Sequence, residues 1–108
     1  MSGKVRRQIS GELKLSDRIY IYARHAVFRM AERNFDRAMV ESVVKAGETI
    51  REYTDDRPFP SRLILGWVDN RPLHIVAADN DAANETIIIT VYEPDPNIWN
   101  DDFRSKRT

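Results

Sequence analysis

The hydrophobic period of the chain changes at Gly47, and this change limits the fold more than any other feature. Before Gly47, apolar residues recur at the spacing of one helix face. After Gly47, apolar and polar residues alternate as they do along half-buried strands. Helices followed by a run of strands indicate an α+β fold with the helices packed on one sheet face.

Two helices and four strands are predicted from this pattern. The first helix covers residues 23–33, and the second follows the N-cap residue Asp36 and ends at Lys45. The strands fall at residues 48–54, 62–68, 73–78 and 86–93. Short loops predict a mostly antiparallel four-stranded sheet. Residues 19–22, with the sequence Ile-Tyr-Ile-Tyr, fit either a short strand or the lead-in to the first helix.

The two ends of the chain differ from its middle. Residues 1–17 are polar and basic without a period, which predicts a flexible leader. Residues 18–108 fit one domain, since a chain of 108 residues leaves no room for two. The tail that starts at Pro94 carries Trp99 and Phe103, and we expect these rings to dock on the domain or on a partner.

Several classes of protein are disfavoured by the composition. The chain has no cysteine and two histidines, so we expect no metal and no cofactor. Its four glycines are scattered, and no Gly-x-Ser-x-Gly elbow occurs. Without a stretch of about 20 apolar residues or a signal peptide, the sequence predicts a cytoplasmic protein with no membrane partner.

The formal net charge of zero conceals an uneven distribution. Residues 1–33 carry eight Lys or Arg against three Asp or Glu, whereas residues 34–108 carry nine against fourteen. A basic half can contact phosphate even in a neutral molecule. An ordinary surface of alternating charge explains the counts equally well.

His25, Arg29 and Arg33 follow one another at four-residue intervals and should share one helix face. A histidine can move protons near neutral pH, and arginines can hold a phosphate. This set suits metal-independent phosphodiester cleavage, in which a 2′-hydroxyl is deprotonated and cations stabilise the phosphorane. The alternative is a solvated polar face on which Glu32 pairs with an arginine.

A second polar group is expected on the strands. Thr86, Ile88, Thr90 and Tyr92 should share one face of the last strand, and an even register would place His74 beside Thr90 and Tyr92. The alternative is a half-buried His74 that is bonded to a backbone carbonyl.

Other strand residues offer contacts to a nucleic acid. Arg51 and Tyr53 lie on one face of the first predicted strand, and Arg62 opens the second. They could supply cations for an RNA backbone and a ring for base stacking.

The run from His25 to Arg33, HAVFRMAER, resembles the HAxxRMxER helix of a bacterial domain-of-unknown-function family of small toxin-like proteins. The likeness covers roughly residues 18–107 and includes the segment RPLHIV and the ending YEPDP followed by Trp99. That family is similar to the RelE, ParE and BrnT toxins of toxin-antitoxin systems.

The resemblance implies a RelE-like fold and an endoribonuclease toxin that binds a cognate antitoxin. His25, Arg29 and Arg33 match the helix motif, while His74 and Tyr92 match strand positions. A non-catalytic module that binds protein or nucleic acid through its sheet face and Trp99 tail is the competing hypothesis. A DNA-contacting leader from Lys4 to Lys14 and a small homo-oligomer are left open.

Overall fold

A computed structural model describes residues 17–108, so the predicted leader lies outside the described residues apart from Asp17. Its elements, in chain order, are β1 (Ile19–Tyr22), α1 (Arg24–Arg33), α2 (Arg37–Ala46), β2 (Glu48–Tyr53), β3 (Ser61–Val68), β4 (Arg71–Asn80), a 3₁₀ turn (Asp81–Ala83) and β5 (Glu85–Tyr92). The predicted order of two helices followed by four strands is confirmed.

The sheet has five strands in the order β1-β5-β4-β3-β2. Strand β1 runs parallel to β5, with Ile19 opposite Glu85, and the other neighbours are antiparallel. The mostly antiparallel α+β architecture is confirmed, but the expected count of four strands is wrong. Residues 19–22 form the additional strand because their hydrogen-bonding partner is β5, the last strand in the sequence, which no local period reveals.

Helix α2 forms where the predicted cap and apolar stripe place it. The Asp36 carboxylate accepts a hydrogen bond from the Met39 amide at 2.9 Å, which satisfies one of the unpaired amides at the helix start. Val40, Val43 and Val44 are buried on one side. The helix therefore lies on the sheet through the stripe that its sequence predicts.

Both helices pack on the same face of the sheet. Their buried residues share one cluster with residues of β3, β4 and β5. This core contains Ala26, Met30, Phe35, Val40, Val43, Val44, Ile64, Leu73, Ile75, Ala77, Ile88 and Val91. Since side chains alternate along a strand, His74 and Val76 of β4 point to the opposite face, which we call the back face.

An irregularity in β5 changes which of its residues share a face. Val76 pairs with Thr90 and Ala77 pairs with Ile88, so Ile89 is the extra residue of a bulge. Ile88 and Thr86 therefore point to the helices, whereas Thr90 and Tyr92 point to the back face. The expectation that all four share one face is wrong, because the bulge reverses the alternation between them.

The tail covers part of the back face. Trp99 is only 5% exposed and forms a short antiparallel bridge with Lys106. Its ring meets the His74 ring edge-on at 4.5 Å between centroids. The predicted docking of the tail aromatics on this domain is thereby confirmed for Trp99, and the sheet is buried on both sides at His74.

Helix α2 approaches β3 closely at Gly66. A Cβ atom built on Gly66 would lie 2.6 Å from Cγ1 and 3.1 Å from Cβ of Val43. Val43 is buried and β-branched, so its side chain has little freedom to move away. The distance between α2 and the sheet is therefore set by the missing side chain at position 66.

We expect Gly66→Ala to lower the free energy of unfolding by roughly 1–3 kcal/mol, as overpacking of a close-packed core does. Urea unfolding followed by tryptophan fluorescence would measure this loss. Val43→Ala removes the clashing methyl groups, so the double variant should lose clearly less stability than the two single variants added together. Strict additivity would contradict the assigned contact.

Candidate functional site

One side of α1 presents a row of three side chains to solvent, His25, Arg29 and Arg33, which we call the cation row. They stand on successive turns of the helix, and all three are exposed. Ala26 and Met30 of the same helix are buried in the core, and this burial fixes which side faces outward. The three residues therefore share one face of α1, as their spacing predicts.

The members of the cation row differ in their partners. Arg29 pairs with Glu32 at 3.5 Å, and Arg33 pairs with Glu93 at 3.8 Å. Both are loose, exposed ion pairs of small energetic value. Within residues 17–108 His25 makes no hydrogen bond or ion pair, so its imidazole nitrogens are open to a ligand. The pairing of Glu32 with Arg29 is the one that the solvated-face alternative expects.

The C-terminal end of the cation row borders a cavity. Arg33 lines a space of about 480 Å³ together with Pro72 of β4, with Glu93 just after β5 and with residues of the tail. Glu93, which lines the same cavity, is held by Arg71 at 3.1 Å. The hydrogen bond from Arg71 lowers the pKa of Glu93, so this carboxylate stays ionised beside Arg33.

His74 and Tyr92 form a different group. They are directly paired across β4 and β5, and His74 is 0% exposed. Its Nε2 lies 2.9 Å from the Phe103 carbonyl oxygen, and its Nδ1 lies 3.1 Å from the Tyr92 hydroxyl. Because a carbonyl can only accept, Nε2–H is the donor, and Nδ1 accepts the Tyr92 proton.

This arrangement favours the neutral imidazole. Burial is the main cause that lowers the pKa of His74, and burial also raises the pKa of Tyr92. Both nitrogens of His74 are already used, Nδ1 in the bond to Tyr92 of β5 and Nε2 in the bond to the tail. The backbone-bonded alternative describes this histidine better than a role in proton transfer to a substrate.

The two predicted groups lie on opposite faces of the sheet. The cation row belongs to α1 on the helix face, whereas His74 and Tyr92 point to the back face. The structure therefore does not bring the five proposed catalytic side chains into one site. The even register that places His74 beside Tyr92 is confirmed. In this register both side chains point to the back face, away from α1.

The proposed substrate-binding residues are divided in the same way. Arg51 and Tyr53 pair with Leu63 and Ser61, which places them on the back face, and Thr90 lies there opposite Val76. The Arg51 guanidinium sits 6.0 Å from the centroid of the Trp99 ring. Arg51 therefore lies beside the docked tail.

Arg62 instead points to the helix face, where it belongs to an ion network that the sequence did not indicate. Its Nε donates to Asp79 at 2.8 Å, and Arg18 donates to Asp81 at 2.7 Å and to Thr86 at 2.8 Å. Burial would raise the pKa of Asp79, but its bonds to Arg62 and Thr86 outweigh burial and lower it. Asp79 was expected in a loop, yet β4 extends to include it. No local signal links these side chains, which meet only in the folded sheet.

Two further features concern the described part of the chain. Among residues 17–108, no three His, Cys, Asp or Glu side chains are grouped as metal ligands would be. In the same range, no helix has the length and apolar content that crossing a membrane requires.

Most of the elements described above fall within the range matched by a known sequence family. The model of the domain of unknown function DUF4258 matches residues 22–93, which run from the end of β1 to just past β5. The chain belongs to the DUF4258 family. The DUF4258 match includes the cation row, His74 and Tyr92, but stops before Trp99 and Phe103. No curated protein and no solved structure matches the chain.

We expect acid to destabilise this DUF4258 protein through His74. Burial lowers the pKa of His74 in the folded state, so the imidazole binds a proton more readily in the unfolded chain than in the folded protein. The stability that neutral His74 contributes is fully present above the ordinary histidine pKa of about 6.5 and is lost as the pH falls below it. Urea unfolding of the wild type at pH 7.5 and 5.5 should show the loss.

His74→Gln keeps one donor and one acceptor but does not titrate in this range, so its stability should fall less between the two pH values. His25→Ala is the matched control, because it removes the exposed histidine and should retain the full wild-type loss. An equal loss in His74→Gln and the wild type would refute the assignment to His74.

Proposed function

We propose that the protein is an endoribonuclease toxin of a bacterial toxin-antitoxin system, and that it cleaves RNA without a metal ion. The observation that carries the proposal is the exposed cation row, in which an imidazole with open nitrogens precedes two guanidinium groups on the next two turns. RNA brings both a nucleophile, its 2′-hydroxyl, and a phosphate for the arginines to bind.

In the proposed reaction, His25 removes the proton of the 2′-hydroxyl, and the 2′-oxygen attacks the neighbouring phosphorus. Arg29 and Arg33 stabilise the negative charge on the phosphorane oxygens, which is the larger part of such catalysis. The bond from phosphorus to the 5′-oxygen breaks, and the leaving oxygen takes up the proton that His25 holds. The products are a 2′,3′-cyclic phosphate and a 5′-hydroxyl.

The proposed roles of the remaining residues follow from the face of the sheet on which each side chain lies. His74 and Tyr92 are assigned to holding the tail, because the sheet separates them from the cation row. Arg62 is assigned to the ion network with Asp79. Arg51, Tyr53 and Thr90 stay candidates for contacts of the RNA strand away from the scissile bond.

The toxin-antitoxin part of the proposal rests on the HAVFRMAER motif and on the two helices that precede four of the five strands, as the RelE-like resemblance implies. A cognate antitoxin would silence the toxin most directly by covering the cation row. The row is exposed and lies on one helix, so a single antitoxin segment could mask all three side chains.

Purified protein should cleave a single-stranded RNA in the presence of EDTA and leave 2′,3′-cyclic phosphate ends. His25→Ala should lower the cleavage rate about 10²- to 10⁴-fold, the usual contribution of a positioned acid–base group. Arg29→Ala and Arg33→Ala should each lower it as well. Gel electrophoresis and end-group analysis of the products would measure both effects.

Arg57→Ala is a matched control, since Arg57 is an exposed arginine of the β2–β3 loop that bonds a carbonyl in its own loop. It should cleave at the wild-type rate. An RNA with 2′-deoxy sugars should stay intact, because it lacks the nucleophile. Equal cleavage by the wild type and His25→Ala, or intact RNA with both, would reject the proposal.

A non-catalytic binding module is the second candidate, and one observation favours it. Within the described residues, neither His74 nor Tyr92 can act as the second proton-handling group beside His25. This candidate predicts a stable complex of RNA or antitoxin with the protein, and no turnover in the same assay.

A further inference from the structure

Trp67 is an exposed indole at the wall of a cavity. It lies on β3 opposite Pro72 and is 53% exposed, in contrast to the buried Trp99. The cavity, which we call the Trp67 cavity, measures about 580 Å³ and lies where the end of α2, the start of β2 and the tail meet. A large aromatic left half in water beside a cavity is a feature of surfaces that bind a ligand.

The other walls of the Trp67 cavity are rich in hydrogen-bond acceptors. Glu48 and Asp102 contribute carboxylates, and the last turn of α2 presents its carbonyl end, where the helix dipole is negative. Asp102 Oδ1 accepts a hydrogen bond from the Arg104 amide at 3.0 Å, which leaves its other oxygen as the acceptor for a ligand. Arg104 is a cation of the wall, and it already pairs with Glu48 at 2.7 Å. A bare phosphate would meet more repulsion than attraction here.

A flat ring that carries amino groups fits these walls. Nucleobases stack on exposed aromatic side chains, and such stacking is worth about 1–3 kcal/mol per base. The exocyclic amines of adenine, cytosine and guanine donate hydrogen bonds to carboxylates. Uracil has no exocyclic amine, and its N3–H lies between two carbonyl oxygens that would face the lone pairs of Glu48 and Asp102.

The Trp67 cavity is linked through Phe103 to the cavity at Arg33, the last member of the cation row. The Phe103 ring meets the Trp67 ring edge-on at 5.8 Å, and Phe103 lines the neighbouring cavity together with Arg33. A strand whose phosphates lie along the cation row can therefore continue past Phe103 and place a base on Trp67.

We propose that the Trp67 cavity is a base-binding subsite for single-stranded RNA that prefers adenine, cytosine or guanine over uracil. The inference rests on the proposed action on RNA. A basic side chain of a partner protein is the competing occupant, because it could also stack on the indole beside Asp102, and the probes below distinguish it from a base.

Uncleavable 2′-O-methyl tetranucleotides of A, C and U, labelled with fluorescein, are the probes. Their affinity would be measured by fluorescence anisotropy, and quenching of tryptophan emission would report contact with the indole. The A and C probes should bind at least several-fold more tightly than the U probe. Trp67→Ala should weaken the A probe about 5- to 150-fold, the range expected of one stacked base.

Trp67→Phe should retain most of the affinity, since a phenyl ring still stacks, and its buried Trp99 reports that the fold is intact. Asp102→Asn replaces an acceptor by a group that also donates, so it should narrow the difference between the A and U probes. Ile98→Ala is the matched control, because Ile98 is an equally exposed apolar side chain that does not line the Trp67 cavity.

Equal binding of the A and U probes, or wild-type affinity in Trp67→Ala, would overturn the subsite. Quenching by an arginine-containing tetrapeptide without quenching by the A probe would reassign the cavity to a protein partner and also overturn it. The probes cannot be cleaved, so failure of the ribonuclease proposal would leave this result readable. Cleavage that does not depend on Trp67 would reject the subsite alone.

Discussion

Burial of the sheet on both faces is the constraint on which the rest of the structure depends. The helices cover one face, and the tail covers the other at Trp99 and His74. The two hydrogen bonds of His74 join β4 to β5 and to the tail, so one imidazole connects three parts of the back face. A buried polar side chain is tolerable only when its groups are satisfied in this way. The consequence for function is that the chemistry left accessible lies at the outward side of α1 and along the rim of the sheet.

The features that were predictable from the sequence are those decided by local physics. The Asp36 cap and the valine stripe of α2 act within a few residues, and the alternation after Gly47 gave the strands. Strand β1 could not be found in this way, because it is defined by its pairing with β5. The bulge at Ile89 was equally hidden, since it adds one residue without changing the composition of the strand. It nevertheless decides that Thr90 faces the back while Ile88 faces the core.

The candidate site divides along the same line. Helical spacing alone predicts that His25, Arg29 and Arg33 share one face, and they do so on α1. The role of His74 depends on the Phe103 carbonyl, which a tail of irregular backbone brings to it from 29 residues away. No pattern in the sequence predicts this hydrogen bond between His74 and Phe103. The exposure of Trp67 is unpredictable for a related reason, since a tryptophan at the end of an apolar strand is usually buried, whereas the folded chain leaves this one half exposed.

The distribution of charge gives the proposed RNA path a direction. Among the basic residues of the first third of the chain, Arg29 and Arg33 stand on α1 in the cation row, which suits phosphates. The acidic excess of the remainder supplies Glu48 and Asp102 at the Trp67 cavity, which suit amino groups of bases. A nucleotide is itself divided into an anionic backbone and a base with donor groups. A neutral protein can therefore bind RNA by matching both halves, whereas a uniformly basic surface would bind the backbone and leave the base unread.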